Sequence, residues 1–577
     1  MIPHATSAPL SARSEPVAHG KLAVSLDEPG VDAIFRELDQ CHLPGVAVGI
    51  ALNGKPAYRK GFGLASMDLP VVLSPSIRMR VGSVTKQFTA FAYLLLCETG
   101  QAAIDDPIKK YLPQFHPVTH GVTMRQLMGH TSGLRDATDI KFRFGGFEGR
   151  PITCDEILAL YRDLDDVDTA PETSWMYNNG CYMILSAVIE LIAGQPLEQV
   201  MKQLIFAPIG MHDTLLRRWD TDFVPNSATP HALTPTGRYE KRYWGLDFTG
   251  AGGMVSTVDD LLRWLAHMDA PSVGTAATWA AMRMPHTLSN GSSTGYGLGL
   301  IRGEYRGVEV IHHGGGWIGG NAQVLKVPAA GLDIVIVANR TDAFAPVFAN
   351  RILDLCLPGL DLSAKASDSP ANTEAFAVFN VTRTSERESA GPDIAVGNDT
   401  FSAGVFRSRT TGRVVQLFAK DGCQIVSIDG HDLPYMLGDH GVLGPIPIWS
   451  FIKRIVTLLG DPANPSSLTL SDFGNRDELM RVNTPHQANI EAVTGRYRSE
   501  TTGTDILIDR KDNSAWMHTR GRFGSMDYEL SCLAEGVWRA NSAISIFLDG
   551  VLSFDSNTAA FHLSSYNTRS LPFRRVT

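Results

Sequence analysis

The sequence predicts a large α/β (α+β) domain with a central antiparallel sheet flanked by helices, followed by two small antiparallel β-barrel domains. Three observations lead to this prediction: strand pairs at both ends of one long segment, helical periodicity between them, and an internal repeat near the end of the chain. Strands that bracket a run of helices pair into one sheet, and the helices cover its faces. A chain of 577 residues is long enough for several such domains.

Two strand pairs define the predicted sheet. In segment 46–63, Asn53-Gly54 separates two apolar runs, and this dipeptide is the strongest short-range signal for a β-hairpin. In segment 322–340, two further strand-like runs are joined by a turn that contains Gly331. The sheet therefore takes strands from both ends of the segment.

Helical patterns fill the region between these strand pairs. Residues 84–99 form a periodic apolar run that ends before Gly100, a residue typical of a helix C-terminus. Thr123 and Gln126 have the spacing of a capping box, which begins another helix. Residues 181–194 continue the pattern with a third apolar run.

The domain boundaries follow changes in composition. Residues 1–25 lack a continuous apolar stretch and are predicted to be a flexible leader rather than a secretory signal. The large α/β domain is placed at 26–360. A polar linker rich in Ser, Pro and charged residues is placed at 361–397. The two barrels are placed at 398–486 and 487–577.

An internal repeat predicts the two barrels. It aligns GVFRSRTTGRVVQLFAKDG at 404–422 with GRYRSETTGTDILIDRKDN at 495–513, an offset of 91 residues. Each copy closes on a similar run, LSDFGNRDELMRV at 470–482 and LSSYNTRSLPFRRV at 563–576. Short β-like runs broken by Thr-Gly, Asp-Gly and Asn signals are typical of small antiparallel barrels.

Composition excludes several classes of partner. Lys and Arg number 51 against 60 Asp and Glu, a net charge of -9, so no basic excess exists for nucleic-acid phosphates. No apolar stretch approaches the ~20 residues that cross a bilayer, so no membrane association is expected. The 7 cysteines are scattered and form no CxxC pair, which favours a reducing, cytoplasmic compartment. The sequence allows a homodimer but does not require one.

The first candidate motif is Ser83 and Lys86, three residues apart at the start of a predicted helix. This spacing places both side chains on one helix face. A serine hydroxyl becomes a nucleophile when a base removes its proton, and a buried lysine with a lowered pKa can be that base. On this motif alone, a helix cap beside a solvated lysine is the favoured interpretation.

The second motif is Tyr177 and Asn179, which precede the third helical run. A tyrosine near a lysine can act as a general acid or base, because the opposite charge lowers its pKa. Asn179 either caps the helix or presents its amide to a substrate. The alternative interpretation is an ordinary turn with an aromatic anchor.

The third motif lies in a predicted strand, where His312 and His313 lead into consecutive glycines. Neighbouring side chains on a strand face opposite ways, so at most one of these histidines faces the site, and no third metal ligand is nearby. We therefore expect no metal and no other cofactor. The glycines allow close approach of the backbone, whose N–H groups can form an oxyanion hole.

The three motifs occur in the order S-x-x-K, Y-x-N and H-G-G, and in this order the sequence resembles the serine β-lactamase and penicillin-binding superfamily (peptidase family S12, class C-like). The resemblance covers about residues 30–345. It implies that Ser83 is the acylated nucleophile, Lys86 its proton partner and Tyr177 a proton relay to the leaving group. Whether Lys86 or Tyr177 takes the serine proton is left open.

The resemblance also implies substrate contacts. Asn179 would hold a substrate amide, and the backbone N–H groups of Ser83 and Gly316 would form the oxyanion hole, with Gly315 lining the substrate. Where many relatives place a K-T-G lysine, this chain has His313. A neutral imidazole offers no fixed charge to a substrate carboxylate, so small peptides, amides and esters become the expected substrates.

H-x-G followed by two barrels resembles the D-aminopeptidases of this superfamily. That likeness implies a serine hydrolase that releases N-terminal D-amino acids from peptides or amides through an acyl-enzyme. The alternatives are an esterase or β-lactamase-like hydrolase on the same scaffold and, from another class, a non-catalytic ligand sensor. A barrel loop would enter the cleft, and the matching stretch is 516–530, where Asp527 is the candidate partner of a substrate ammonium. An exposed hairpin tip is the alternative for this stretch.

Overall fold

The structure of the chain is a computed structural model. It describes residues 22–146, 151–234, 236–358, 360, 403–420, 423–437, 441–445, 453–461, 463–483, 488–543 and 548–576. The linker predicted at 361–397 lies outside the described residues, as does the predicted leader up to residue 21.

The helices of the catalytic domain fall mostly between its two groups of strands. They are α1 (Glu28–Phe35), α2 (Thr85–Glu98), α3 (Met124–Met128), α4 (Ala137–Gly145), α5 (Cys154–Asp163), α6 (Asn179–Ala193), α7 (Leu197–Met201), α8 (Ala207–Ile209), α9 (Thr249–Gly252), α10 (Val258–His267), α11 (Ala276–Arg283) and α12 (Ala345–Cys356). A π-helical segment, Lys202–Phe206, joins α7 to α8.

The strands of the catalytic domain form one large sheet and three small ones. They are β1 (Val46–Leu52), β2 (Lys55–Phe62), β3 (Leu64–Ser66), β4 (Val71–Val72), β5 (Met79–Arg80), β6 (Leu215–Leu216), β7 (Ala232–Leu233), β8 (Tyr239–Glu240), β9 (Met254–Ser256), β10 (Ile301–Tyr305), β11 (Val308–Trp317), β12 (Gly320–Val327) and β13 (Leu332–Ala338). The large sheet is antiparallel in the order β10-β11-β12-β13-β1-β2.

Both faces of the central sheet are covered by helices, as predicted. On β1, Val48 and Ile50 belong to the core that includes α1 and α12. Ala47 and Ala51 point the other way, into the larger core beneath the remaining helices. Gly49 lets α10 lie close to the sheet, because a Cβ on this residue would lie 2.4 Å from a methyl carbon of Val258. The alternation of strand side chains thus divides the domain into two cores.

Local sequence signals are confirmed where they were strongest. Asn53 (φ 50°) and Gly54 (φ 74°) both take positive φ in the β1–β2 turn, the conformation that a two-residue type I′ hairpin requires. Thr123 and Gln126 form the reciprocal capping box at the start of α3. Gly331 (φ 58°) makes the turn between β12 and β13.

The end of the predicted leader is attached to the catalytic domain. The backbone N–H of Leu22 donates to the carbonyl of Ala329, and that of Ser25 donates to the carbonyl of Cys356, each at 3.0 Å. Residues 22–25 are therefore part of the domain. The prediction of a flexible leader to residue 25 is wrong at these four residues.

In the part of the repeat region that the structure describes, the strands form two closed antiparallel barrels of eight strands each, which confirms the predicted fold class. The first barrel contains β14 (Gly404–Ser408), β15 (Val414–Lys420), β16 (Cys423–Ile428), β17 (His431–Leu437), β18 (Val442–Pro445), β19 (Arg454–Leu459), β20 (Ser467–Asp472) and β21 (Asn475–Val482). After the short helix α13 (Ile490–Val493), the second contains β22 (Gly495–Ser499), β23 (Thr504–Lys511), β24 (Ser514–Gly521), β25 (Gly524–Ala534), β26 (Val537–Ser542), β27 (Gly550–Phe554), β28 (Ala560–Ser565) and β29 (Leu571–Val576).

No described helix is by itself long and apolar enough to cross a bilayer, although one bent pair, Asn179–Ala193 with Leu197–Ile209, meets that length and composition test together.

A buried ion pair joins the two barrels, and a buried arginine of the catalytic domain forms a hydrogen bond with the second barrel. Arg539 of the second barrel donates to Asp432 of the first barrel at 2.8 Å and to Asp549 of its own barrel at 2.9 Å. On the catalytic domain, Arg135 pairs with Asp168 at 2.7 Å and also donates to a backbone carbonyl of the second barrel. A buried charge that loses its partner is strongly destabilising.

We expect Arg539→Met to lower the free energy of unfolding by about 3 to 5 kcal/mol, because it leaves two buried carboxylates without their cation. The measurement is thermal or urea unfolding of the whole chain. Arg498→Met is the matched control, since Arg498 makes an exposed ion pair with Asp505 and is expected to cost about 1 kcal/mol or less. Equal melting temperatures for the two variants would contradict this account of the junction.

Candidate active site

The nucleophile candidate lies in a tight turn that begins a buried helix. Ser83 is the middle residue of the 3₁₀ turn Gly82–Val84, directly before α2, and its side chain is partly exposed. Lys86 follows in the first turn of α2 and is 0% exposed. The helical spacing therefore brings the hydroxyl and the amine together, with one open to a substrate and the other withdrawn from water.

The amine of Lys86 has three neighbours. Its Nζ lies 3.1 Å from the Oγ of Ser83, 2.7 Å from the Oδ1 of Asn179 and 2.7 Å from the carbonyl oxygen of Ala251. The amide and carbonyl oxygens can only accept hydrogen bonds, so two N–H groups of the amine are committed to them. In the neutral amine, the remaining position is a lone pair directed at the hydroxyl of Ser83.

Burial lowers the pKa of Lys86 from its ordinary value to about 7, although the negative charge of Asp136 opposes this shift. A substantial fraction of the amine is therefore neutral at neutral pH. A neutral amine in hydrogen-bond contact with a serine hydroxyl can accept its proton.

Tyr177 completes the group around Ser83. Burial raises the pKa of Tyr177 above its ordinary value, and a hydrogen bond with the Ser83 side chain lowers it by a smaller amount. The Nζ of Lys86 lies 4.7 Å from the centre of the Tyr177 ring. The phenol is thus protonated in the resting site, and it can donate a proton rather than accept one. Of the two proton acceptors that the sequence left open, the geometry favours Lys86.

The start of α6 positions the second motif. Asn178, and not Asn179, is the N-cap, because its side chain accepts a hydrogen bond from the backbone N–H of Cys181. Asn179 is therefore free of the capping role, and its Oδ1 binds Lys86. The carboxylate of Asp136 accepts the backbone N–H groups of Asn179 and Gly180 at 3.0 and 3.1 Å. This buried acid fixes the helix start that carries the motif.

Glycines allow β11 to press against the nucleophile turn. A Cβ on Gly82 would lie 2.7 Å from the carbonyl oxygen of Gly316, and a Cβ on Gly315 would lie 1.9 Å from that of Val81. The same Cβ on Gly315 would lie 3.0 Å from the backbone N of Ser83. A Cβ on Gly316 would meet nothing within 4 Å among the described residues, so Gly316 borders open space where a substrate oxygen can lie.

His313 lies in the wall of the site as a neutral ring. Its Nδ1 donates to the carbonyl of Gly314 at 2.6 Å, so its Nε2 accepts the hydroxyl of Tyr296 at 2.9 Å. Burial lowers the pKa of His313 to about 3. Both ring nitrogens are occupied, so this histidine holds Tyr296 and the strand in place. The neighbouring His312 points to the other side, where it contacts Gln323.

Sequence reasoning missed two residues that support the site. Asp136 and His130 both lie in the stretch 122–136, in which no catalytic residue was predicted. The Nδ1 of His130 accepts the backbone N–H of Asn178, and its ring centre lies 4.3 Å from that of Tyr177. The backbone of His130 takes a φ of 58°, which is uncommon for a residue with a side chain.

The structure does not bring Asp527 to the site. Asp527 is 65% exposed on β25 and pairs with His518 on the neighbouring strand at 2.7 Å. Its neighbours Met526 and Tyr528 are buried, so the strand alternation turns Asp527 outward. Its pairing with His518 gives no support to the prediction that this acid binds a substrate ammonium.

The hairpin 516–530 packs against helices of the catalytic domain. A Cβ on Gly145 of α4 would lie 2.5 Å from the carbonyl oxygen of Phe523, and Arg522 pairs with Asp163 at the end of α5. Other barrel turns approach the second motif instead. Phe473 of the first barrel lies 5.0 Å from Trp175, between ring centres.

The comparisons with known proteins agree with this geometry. The Beta-lactamase family model matches residues 31–356, which is more than half of the chain. The chain belongs to the Beta-lactamase family. Residues 31–356 therefore have the β-lactamase fold.

Two curated relatives match about half of this chain. An unguisins hydrolase of Aspergillus campestris is 27% identical over 342 residues, which are 55% of this chain and 62% of the relative. A D-aminopeptidase of Brucella ovis is 29% identical over 303 residues, 51% of this chain and 56% of the relative. The chain thus matches little more than half the length of these relatives.

A solved structure matches nearly the whole chain. The octameric penicillin-binding protein homologue from Pyrococcus abyssi is 18% identical, with a TM-score of 0.53, and the match covers 95% of this chain and 100% of that one. At this identity the likeness shows a shared fold.

We expect Gly315→Ala to lower kcat/KM for a p-nitrophenyl ester by about 100-fold or more, because the methyl group displaces β11 from the nucleophile turn. The matched control is Gly303→Ala on neighbouring β10, where a Cβ meets its nearest atom at an ordinary 3.7 Å. Activity of Gly315→Ala within threefold of the parent protein would show that this contact does not set the geometry.

The pKa of Lys86 predicts the pH dependence of ester hydrolysis. Below about 7 the amine is protonated and cannot accept the Ser83 proton, so kcat/KM falls about tenfold per pH unit on the acid side and levels off above. In His313→Gln, the acid-side fall of kcat/KM should occur at the same pH, because the pKa of His313 is about 3 and its titration does not contribute there. A profile that is flat between about pH 5.5 and 8.5 would contradict Lys86 as the proton acceptor.

Proposed function

We propose that this protein is a serine hydrolase, and more specifically a D-stereospecific aminopeptidase or amidase, which releases N-terminal D-amino acids from peptides or amides through an acyl-enzyme on Ser83. The observation that carries the proposal is the neutral His313 at the third motif. Its nitrogens are bound to Tyr296 and Gly314, so the motif presents no fixed positive charge to a substrate carboxylate. Substrates that do not need a positive charge of the enzyme to bind their carboxylate, namely amides and short peptides, fit such a site.

The proposed acylation begins at Lys86. The neutral amine accepts the proton of Ser83 as the Oγ attacks the substrate carbonyl carbon. The backbone N–H groups of Ser83 and Gly316 stabilise the oxyanion, and each such donor contributes about 10² to 10³ in rate. Tyr177 donates its proton to the leaving amine as the C–N bond breaks, and it regains a proton from Lys86, which lies beside its ring.

Deacylation reverses these roles with water as the nucleophile. Lys86, neutral again after it has returned a proton to Tyr177, accepts a proton from the attacking water. The acyl C–O bond to Ser83 then breaks, and the Lys86 ammonium gives that proton to the serine oxygen. The side-chain oxygen of Asn179 is occupied by Lys86, so its amide N–H groups are what it can offer to a substrate carbonyl.

The stereochemical part of the proposal is supported by relatives. The similarity to the D-aminopeptidase of Brucella ovis lies over about half of each protein. Asp527 gives no support to recognition of a free amine, since it lies outside the site. The preference for D-residues therefore needs a direct measurement.

A substrate panel tests the proposed function. D-alanine p-nitroanilide is expected to be hydrolysed at least about tenfold faster than the L-isomer, p-nitrophenyl butyrate and a chromogenic cephalosporin, when kcat/KM values are compared. Ser83→Ala is the control and should be inactive on all four substrates. Preferred turnover of the ester or the cephalosporin would replace the proposal by an esterase or β-lactamase-like activity. Absence of turnover and of labelling by a fluorophosphonate would favour the ligand sensor.

A further inference from the structure

The two barrels carry an aromatic residue at equivalent positions of their last hairpin. In the repeat, LSDFGNRDELMRV at 470–482 aligns with LSSYNTRSLPFRRV at 563–576, so Phe473 corresponds to Tyr566. Both residues follow the seventh strand of a barrel, and both turns face the segment that carries Tyr177. Phe473 packs against Trp175, and Tyr566 is near enough to Tyr177 to affect its pKa.

Phe473 is held in a strained backbone conformation. Asp472 pairs with Asn475 across the hairpin, so Phe473 and Gly474 form a two-residue turn with φ values of 49° and 83°. Asn, Asp and Gly are the usual residues at the first of these positions, whereas a bulky residue with positive φ is an outlier that surrounding contacts must stabilise. The side chain is nevertheless 2% exposed, so those contacts are extensive.

These contacts lead to the catalytic residues through one aromatic cluster. The ring centre of Trp175 lies 5.0 Å from that of Phe473, 6.3 Å from that of Tyr177 and 5.7 Å from that of Tyr296. Tyr296 in turn donates to the Nε2 of His313. A single side chain from the first barrel therefore supports parts of both the second and the third motif.

Hydrogen bonds fix the same turn to two loops of the catalytic domain. The Nδ2 of Asn475 donates to the carbonyl of Thr173 at 2.6 Å, and its Oδ1 accepts from Asn290 at 2.9 Å. Lys453 donates to the carbonyl of Ser293 at 2.9 Å. The first loop leads to Tyr177 and the second to Tyr296.

We propose that Phe473 is a positioning residue of the active site: the first barrel inserts it beside Trp175 to hold Tyr177 and the Tyr296–His313 pair in the geometry that acylation of Ser83 requires. The inference rests on the acyl-enzyme chemistry of the proposed function and not on its preference for D-residues. A barrel that served only as an appended domain would have no reason to place a strained phenylalanine in this cluster.

The experiment measures acylation of Ser83 by p-nitrophenyl butyrate in the full-length chain, by rapid mixing, so that the acylation rate constant and the ester affinity are obtained separately. Phe473→Asn removes the ring but gives the turn the favoured Asn-Gly sequence, so the hairpin itself should fold. We expect its acylation rate constant to fall about 10- to 100-fold, with ester affinity changed less than about threefold. Phe473→Leu keeps apolar volume and should recover most of the rate.

Two further variants separate positioning from folding. Thr558→Asn changes another turn residue with positive φ (55°), on the second barrel, and should acylate at the parent rate. Asn475→Ala keeps the ring but removes the hydrogen bonds to Thr173 and Asn290, and it should lower the rate about 3- to 10-fold. If Phe473→Asn has a much lower melting temperature than the parent protein, the acylation rate constant of Asn475→Ala decides the test.

The outcomes distinguish the two proposals. Parent-like acylation by both Phe473→Asn and Asn475→Ala would overturn the positioning role while leaving the proposed function intact. Loss of ester affinity with an unchanged acylation rate constant would also overturn it. If no ester acylates Ser83 of the parent protein, the proposed function and this inference are both overturned. A preference for L-amides would contradict the proposed function but leave this inference intact.

Discussion

The structure of the site depends on one primary amine that has been withdrawn from water. Lys86 is wholly buried, and its desolvation is offset by two carbonyl-type acceptors rather than by a contacting carboxylate. Had an acid bound the amine directly, the charged form would be stabilised and Lys86 could not serve as a base. Asp136 instead binds the backbone at the start of α6, where its hydrogen bonds hold Asn179, and its negative charge opposes the lowering of the Lys86 pKa.

That burial requires close approach of several chain segments. Gly82 and Gly315 let the nucleophile turn and β11 touch through their backbones, α9 supplies the carbonyl of Ala251, and the start of α6 supplies Asn179. The first barrel adds Phe473 from more than 290 residues after the second motif. The site is thus assembled from segments that lie far apart in the chain.

The sequence predicted those features that arise from short-range geometry. Ser83 and Lys86 share a helix face because of their spacing, Asn53-Gly54 specifies its own turn, and the repeat implied two similar barrels. The contacts of Asp136 and Phe473 could not be predicted, because they join residues far apart in the chain with no local pattern. Asp527 was misplaced for a reason visible in the sequence: it alternates with Met526 and Tyr528, which belong to a barrel core.

Direct titration of the Lys86 amine tests the central claim. Protein labelled with 13C at lysine Cε, with the Lys86 signal assigned by its loss in Lys86→Arg, gives this pKa by NMR without reference to any substrate. The structure predicts a midpoint of about 7. A midpoint near the ordinary lysine value of about 10.4 would contradict the account, because the amine would then be charged at neutral pH and unable to take the serine proton.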